Sequence, residues 1–214
     1  MKSRIVFDFD NTLFSSRSLL KAMAEAYRKF GIDEKLFFDK YYESRKMSEY
    51  YKPYLHLRLL KESVKGFSLK EFKKELEGVL SRCSDFLYPD VIPFLQEFSS
   101  STDLYLVSFG QRWFQKKKID ECKIERYFKK IYITRDSSKV SVLRKIFKKG
   151  IDIFFVDDSE EVLREVKKAY PSVITVKIER EDFHRRGSRV EEEKNQIDYI
   201  VKSLNELRNI VMKS

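Results

Sequence analysis

Cysteine and histidine are scarce in this sequence, with two residues of each type among 214. Cys83 and Cys122 lie far apart, and neither has a histidine at the spacing of a metal-ligand pair. The chain therefore lacks the pattern of a disulfide framework and that of a zinc site. We interpret both cysteines as reduced, partly buried thiols and assign no role to the isolated His56 and His184.

Long apolar runs are also missing. No segment is long enough to span a bilayer, and the opening residues MKSRIVFDFD place aspartates inside the first apolar run, unlike a secretory signal. We therefore expect a cytoplasmic protein without a membrane partner. A chain of 214 residues can form one α/β core with a modest insertion, and it contains no internal repeat.

The charge is strongly positive, at +10, because 44 lysines and arginines outnumber 34 aspartates and glutamates. Lysines cluster at residues 116–118, 129–130 and 148–149, on stretches with helical patterns that also contain acids. We interpret them as solvated helix faces that attract anions such as phosphorylated substrates. Nucleic acid is an alternative partner that this pattern does not favour.

Four short runs are apolar almost throughout and rich in β-branched or aromatic residues: residues 5–9, 104–107, 153–156 and 173–178. Such runs are typical of strands buried on both faces, and hence of a parallel sheet covered by helices. Helical patterns over residues 111–119, 138–147 and 160–169 alternate with them, and residues 199–201 and 203–211 predict a last strand and helix. The alternation predicts an α/β fold with a doubly wound parallel sheet.

Residues 15–87 have a different pattern, with helical periodicity over 19–30, 34–47 and 69–80 and no buried-strand run. Ser68 and Glu71 have the spacing of a capping box at the start of the last of these helices. We therefore predict a core of residues 1–14 and 88–214 and an all-helical cap of residues 15–87. The charged stretch 179–194 is interpreted as a mobile loop.

Polar residues follow the predicted buried strands where each strand ends. Asp8 and Asp10 end the first strand, Ser108 the second, and Asp157 and Asp158 the third. Because ligands of open α/β sheets bind at the carboxyl ends of strands, we expect one cluster of four carboxylates and a hydroxyl. Such a cluster would repel itself, and oxygen ligands without histidine or thiol suit Mg²⁺.

Each element also has an ordinary structural interpretation. Asp158 or Ser159 could cap the helix that follows, Ser108 could belong to a simple turn, and Lys139 is one of many basic residues. The structural interpretation is weakest for Asp8, because this residue lies between two phenylalanines in an apolar run where a carboxylate without a function is costly.

The order of these segments resembles the haloacid dehalogenase superfamily over nearly the whole chain. The segment DFDNTL at residues 8–13 looks like its opening DxDxT motif, and LVSFG at 106–110 looks like the second motif. Lys139 falls at the position of the family's lysine, and FVDD at 155–158 looks like its acidic fourth motif. The sequence departs from the family pattern at two places. Val140 stands where proline is common, and the fourth motif begins with the pair Asp157-Asp158. Glu161 is interpreted as part of the acid that comes later in this motif.

The resemblance implies a role for each matching residue. Asp8 would attack phosphorus, and Asp10 would protonate the leaving oxygen and then deprotonate water. Ser108, Phe109 and Lys139 would bind the phosphoryl group. Magnesium would lie between the Asp8 carboxylate, the Asp10 backbone carbonyl and the fourth-motif acids, with Asp158 as the preferred direct ligand and Asp157 behind it.

The resemblance implies a Mg²⁺-dependent phosphatase that acts on a small phosphorylated metabolite or nucleotide. An acid at position 10 favours phosphoryl transfer, since dehalogenating members lack it. The insertion would act as a lid, and its aromatic residues could form a pocket, although they could also be core: Phe37, Phe38, Tyr41, Tyr42, Tyr50, Tyr51 and Tyr54. Alternatives are a phosphatase of nucleic-acid ends or phosphoproteins, a phosphomutase, and an inactive binding protein of the same fold.

Overall fold

The computed structural model describes residues 3–181 and 197–213. Its strands form one six-stranded parallel sheet in the order β3-β2-β1-β4-β5-β6. The predicted α/β fold with a doubly wound parallel sheet is therefore confirmed. The strands are β1 (Arg4–Phe7), β2 (Asp103–Phe109), β3 (Lys130–Thr134), β4 (Ile153–Asp157), β5 (Ile174–Ile178) and β6 (Tyr199–Val201).

Nine α-helices lie in the described part of the chain. Four of them, α1 to α4, fall between β1 and the rest of the core: α1 (Ser16–Tyr27), α2 (Glu34–Lys46), α3 (Pro53–Glu62) and α4 (Leu69–Leu80). The others alternate with the strands: α5 (Val91–Phe98), α6 (Arg112–Cys122), α7 (Val140–Ile146), α8 (Glu160–Ala169) and α9 (Leu204–Val211). None of these helices has the length and hydropathy that a membrane-spanning helix needs.

The central strands are buried on both faces, as their continuous apolar runs predict. In β1, Ile5 and Phe7 contribute to the core on one face, and Val6 contributes to a second core on the other. The first core contains the buried sides of α1 to α6 and α9, and the second contains those of α7 and α8. Because a packed core lies on each face of the sheet, the residues at its carboxyl edge are held in place.

Three elements were absent from the sequence prediction: β3, α3 and α5. Strand β3 was not predicted because its side chains are only half-buried at the sheet edge, so the segment has no continuous apolar run. Helix α3 was also missed, although Pro53 opens it at a position where proline is well tolerated. The capping box of Ser68 and Glu71 is confirmed, with the Ser68 backbone N–H donating to the Glu71 carboxylate over 2.7 Å.

The predicted mobile loop lies mostly outside the described residues. Its first residues, 179–181, are described, and Arg180 there is buried and firmly hydrogen-bonded. The Arg180 guanidinium donates to the backbone carbonyl of Thr12 over 2.8 Å and to the Asp90 carboxylate over 2.7 Å. Arg180 thus anchors the segment that follows β1, and the interpretation as a mobile loop was wrong for this residue.

Candidate active site

The chain makes a tight turn directly after β1. The carbonyl of Phe9 accepts hydrogen bonds from the backbone N–H groups of Leu13 and Phe14 over 2.9 and 3.0 Å. Asn11 adopts a left-handed conformation with φ of 59°, which asparagine tolerates better than most residues. This turn, with Arg180 bound to the carbonyl of Thr12, holds Asp8 and Asp10 at the carboxyl edge of the sheet.

Three carboxylates meet at this edge, because β4 pairs directly with β1. One carboxylate oxygen from each of Asp8, Asp157 and Asp158 lies within 4.8 Å of the others. They line a cavity of about 260 Å³ together with Lys139 and Glu161. The expected acidic cluster is therefore present, although it holds three of the four predicted carboxylates.

Lys139 is buried between two of these acids. Its ammonium group donates to the Asp8 carboxylate and, over 2.7 Å, to that of Asp157. The other Asp157 oxygen accepts the backbone N–H of Ser159 over 2.9 Å. Asp157 is thus held by two donors and is 1% exposed, whereas Asp158 is more open to the cavity.

The groups around Asp8 act on its pKa in opposite directions. Burial raises the pKa of Asp8 well above its usual value, the Lys139 ammonium counteracts this only in part, and the charges of Asp157 and Asp158 raise it further. Burial also lowers the pKa of Lys139, but the two bound carboxylates outweigh it and give a net increase. Lys139 therefore remains charged, and the cluster favours a further cation.

The position of Ser108 fits a bound anion. Ser108 is near the carboxyl end of β2, is fully buried, and its hydroxyl has no hydrogen-bond partner among the described residues. A buried hydroxyl without a hydrogen-bond partner is costly, so an oxyanion that accepts a hydrogen bond from Ser108 would be favourable there. Phe109, the next residue, lines both the acidic cavity and a larger neighbouring one.

The side chain of Asp10 belongs to a separate cluster. Its carboxylate accepts hydrogen bonds from the ammonium of Lys118 and the hydroxyl of Ser16, both over 2.5 Å, and from the amide of Gln115 over 2.7 Å. Burial alone would raise the pKa of Asp10, but the charge of Lys118 and these three hydrogen bonds lower it overall. Asp10 is therefore held as a carboxylate.

Lys118, Gln115 and Ser16, the three donors to Asp10, are site residues that the sequence analysis missed. Lys118 is 3% exposed, so the interpretation of residues 116–118 as a solvated face was wrong for this lysine. Gly110 makes room for Gln115: a Cβ atom there would lie 3.1 Å from its amide nitrogen, and φ at Gly110 is +142°. The Gln115 amide can thus also donate to the carbonyl of Phe109 over 2.7 Å.

The capping alternative is not supported for Ser159. This residue is the N-cap of α8, but its side chain makes no capping hydrogen bond. The sequence analysis assigned no role to the two histidines, and the structure describes one of them. His56 is buried and hydrogen-bonded to Tyr51 and to the carbonyl of Phe37, away from the acidic cluster. His184 lies outside the described residues.

Solved structures with the same fold cover almost the whole chain. A putative haloacid dehalogenase-like hydrolase from Burkholderia xenovorans LB400 is 20% identical with a TM-score of 0.71, over 99% of this chain and 97% of that chain. The putative HAD-hydrolase YfnB from Bacillus subtilis, bound to magnesium, is 14% identical with a TM-score of 0.67, over 98% of both chains. A putative β-phosphoglucomutase from Thermotoga maritima is 17% identical with a TM-score of 0.66, over 99% of both.

These identities are low, so the structural likeness shows the fold alone. No curated protein matches the sequence. A family model described as haloacid dehalogenase-like hydrolase matches residues 3–163, which are more than half of the chain and include Asp8, Ser108, Lys139 and Asp157. The chain therefore belongs to the haloacid dehalogenase-like hydrolase family.

Proposed function

We propose that this protein is a Mg²⁺-dependent phosphomonoester hydrolase in which Asp8 is the nucleophile. The observation that carries the proposal is the cluster of Asp8, Asp157 and Asp158, in which Asp8 and Asp157 bind the buried ammonium of Lys139. Three carboxylates with oxygens within 4.8 Å of one another repel when all are ionised, and a cation would relieve this repulsion. The unpartnered hydroxyl of Ser108 adds a donor for a phosphoryl oxygen at the same edge of the sheet.

The donor set fits a magnesium ion. Hard carboxylate oxygens without nearby thiols or imidazoles are the ligands that Mg²⁺ prefers. Asp8 and Asp158 would hold the ion together with the backbone carbonyl of Asp10, while Asp157 stays bound to Lys139 and the Ser159 N–H. The ion would offset charge on the phosphoryl group and on the carboxylates around it.

In the first step, a carboxylate oxygen of Asp8 attacks phosphorus, and the bond from phosphorus to the leaving oxygen breaks. The proton that the leaving alcohol gains comes from Asp10. Lys118 keeps Asp10 ionised, but a phosphoryl dianion next to Asp10 raises its proton affinity, so protonation accompanies substrate binding. Lys139 and Ser108 stabilise the charge that develops on the transferring group.

In the second step, water attacks the phosphorus of the aspartyl phosphate. Asp10, now ionised again, removes the proton from this water. The bond between phosphorus and the Asp8 oxygen breaks and releases inorganic phosphate. The hydrogen bonds from Lys118, Ser16 and Gln115 stabilise the carboxylate form of Asp10 that this step requires.

Dehalogenation is the main rival within the family. A dehalogenase needs a nucleophilic carboxylate but no proton donor for a leaving halide. The well-defined hydrogen bonds of Asp10 therefore favour an acid/base role and phosphoryl transfer. We further propose that residues 15–87 act as a cap over the leaving group, because Ser16 in α1 contacts Asp10 directly.

The test is release of inorganic phosphate from a panel of small phosphomonoesters, with Mg²⁺ and with excess chelator. We expect activity only with the metal, a loss of more than about 10⁴-fold in Asp8→Asn, and of about 10²- to 10⁴-fold in Asp10→Asn. Asp152→Asn is the matched control, since this exposed acid lies before β4 at the opposite edge of the sheet. Full activity of Asp8→Asn, or equal activity in excess chelator, would refute the proposal.

A further inference from the structure

The larger cavity next to Asp10 has a volume of about 670 Å³ and is shared by the sheet edge and helices α1 and α2. It meets the acidic cavity at Asp10, Asn11 and Phe109, which line both. Because Asp10 is the proposed proton donor to the leaving oxygen, the part of the substrate that leaves must extend into this larger cavity. Its volume is in the range of pockets that hold ligands larger than a simple sugar ring.

Aromatic rings form much of its wall. Tyr50 contacts Phe109 edge to face with ring centroids 5.9 Å apart, and Tyr51 contacts Phe114 in the same way at 5.6 Å. Tyr41 packs against Tyr51 at 5.2 Å. The remaining rings of the wall are Phe38 and Tyr42. Rings from both the insertion and the core thus surround the space next to Asp10, an arrangement suited to a planar ring in the ligand.

The charge of the wall is positive beyond the Lys118–Asp10 pair. Arg17, Lys21 and Arg45 line the cavity, against one further acid, Glu34. Arg45 is half-buried in α2 and close enough to Tyr41 to act electrostatically on its hydroxyl, and Asp10 acts on the same hydroxyl. Arg45, Tyr41 and Asp10 thus all line the same cavity.

Two buried acceptors add polarity to this wall. The side-chain oxygens of Gln111 and Gln115 have no hydrogen-bond partner among the described residues, and both residues line the cavity. The orientation of Gln115 is fixed, since its amide nitrogen donates to Asp10 and to the carbonyl of Phe109. A ligand hydroxyl or amino group could satisfy these oxygens.

We propose that the substrates are phosphomonoesters whose leaving group carries a planar ring and a second anionic group, which Arg45 binds. This inference rests on the proposed hydrolase activity and names its substrate class. The ring is enclosed by the aromatic wall, while the guanidinium of Arg45 makes charge-assisted hydrogen bonds to the second anion. Aryl phosphates with a carboxylate and nucleoside bisphosphates belong to this class.

Three esters with the same kind of leaving oxygen test the proposal: cyclohexylmethyl phosphate, benzyl phosphate and 4-carboxybenzyl phosphate. With Mg²⁺ present, we expect kcat/KM for phosphate release to be about fivefold higher for the benzyl than for the cyclohexylmethyl ester. The value of kcat/KM for the 4-carboxybenzyl ester should be about tenfold higher than that for the benzyl ester. Equal kcat/KM values for all three would overturn the substrate class and leave the hydrolase activity intact.

Arg45→Gln identifies the residue that binds the second anion. In this variant, the ratio of kcat/KM between the 4-carboxybenzyl and benzyl esters should fall to about one, because the charge-assisted contact is lost. Lys46→Gln is the matched control: it removes the same charge from the next residue of α2, which is exposed and outside the cavity wall, and should retain the ratio. A retained ratio in Arg45→Gln would overturn the assignment.

Binding separates this inference from the proposed reaction. Calorimetry with the Asp8→Asn protein and Mg²⁺ measures Kd for the three esters without turnover. The same order of affinities is expected, with the 4-carboxybenzyl ester the tightest. If no phosphomonoester is hydrolysed by the wild-type protein, the proposed function fails, and an order of Kd values unlike the expected one would then reject the cavity's preference as well.

Discussion

Two buried lysines hold the two aspartates of the first motif, and their surroundings differ. Lys139 and Lys118 are 4% and 3% exposed, and each donates to an active-site carboxylate. Lys139 lies in the acidic cluster with Asp8 and Asp157. Lys118 instead has one carboxylate, that of Asp10, and three phenylalanine rings with centroids 5.1 to 5.2 Å from its nitrogen: Phe9, Phe14 and Phe114.

The difference lies in the balance of charge. Around Lys139, two carboxylates bind one ammonium and the Asp158 carboxylate lies close to both acids, so a divalent cation is favourable there. Around Lys118, one carboxylate meets one ammonium, and the aromatic faces give the ammonium further electrostatic stabilisation. For the proposed reaction, the first region would bind metal and phosphate, and the second would hold Asp10 in one place beside the leaving group.

Of the two lysines, Lys139 should have the larger effect when it is removed. We expect Lys139→Met to lower kcat/KM for phosphomonoesters by about 10³-fold, because a donor to the nucleophile and the transferring group is lost. The same change should tighten Mg²⁺ binding, measured by calorimetry, since one competing positive charge is gone. Lys118→Met should leave the affinity for Mg²⁺ unchanged, which separates the two regions.

Two controls make this result interpretable. Lys148→Met removes an exposed lysine just after α7 and should leave kinetics and metal affinity as they are. Lys139→Arg keeps the charge and serves if Lys139→Met unfolds, because two buried carboxylates without their partner are costly. Near-wild-type kcat/KM and unaltered Mg²⁺ affinity in folded Lys139→Met would contradict the assigned role.

The Lys118 region should respond more weakly. We expect Lys118→Met to lower kcat by about 30-fold, because Asp10 is then less accurately placed for proton transfer. Lys118 lowers the pKa of Asp10, so its removal should move the limb of the pH–rate profile that belongs to Asp10 to higher pH. Lys116→Met, on the same helix but exposed and paired with Asp120, is the control. An unmoved profile in Lys118→Met would show that this lysine does not act on Asp10.

The acidic region could be predicted from the sequence because its residues follow strands. Each of Asp8, Ser108 and Asp157 ends a run that is apolar throughout, and parallel pairing of such runs places their ends at one edge. The likeness to a known family then identified Lys139, which no local pattern distinguishes from other lysines. Both arguments use order along the chain, and neither needs the packing of one helix on another.

The Lys118 region depended on helix packing and was therefore missed. Three consecutive lysines suggested solvent, but Lys118 is four residues after Phe114 and four before Cys122, on the buried stripe of α6. This spacing of four residues was the sequence signal that could have identified Lys118 as buried. Arg180 was missed for a similar reason, since a charged stretch hid a residue whose partners, Asp90 and the carbonyl of Thr12, are distant in sequence.

The smallest expected effect concerns the support behind the aromatic cavity. His56 is buried, and its Nε2 donates a hydrogen bond to the carbonyl of Phe37, because a carbonyl oxygen can only accept. Its Nδ1 therefore accepts a hydrogen bond from the hydroxyl of Tyr51. Both ring nitrogens are therefore used by the neutral form. Burial lowers the pKa of His56 from 6.5 to about 4, and the hydrogen bond to Phe37 only partly opposes this.

The sign of the pH effect follows from this shift. Below pH 6.5 the unfolded chain binds a proton at His56, whereas the folded protein does so only near pH 4, so stability falls as the pH drops through this window. Between pH 8 and pH 5.5, His56 alone should account for a loss of about 1.4 kcal/mol in the free energy of unfolding, which urea denaturation measures.

His56→Gln provides the reference, because it removes this titration and leaves the acidic region unchanged. The raised pKa of Asp8 acts in the opposite direction, but it is common to both proteins and cancels in their difference. The wild-type protein should therefore lose about 1.4 kcal/mol more than His56→Gln between pH 8 and pH 5.5. Equal losses in the two proteins would mean that His56 is not held neutral, and that the wall around Tyr51 does not depend on its uncharged form.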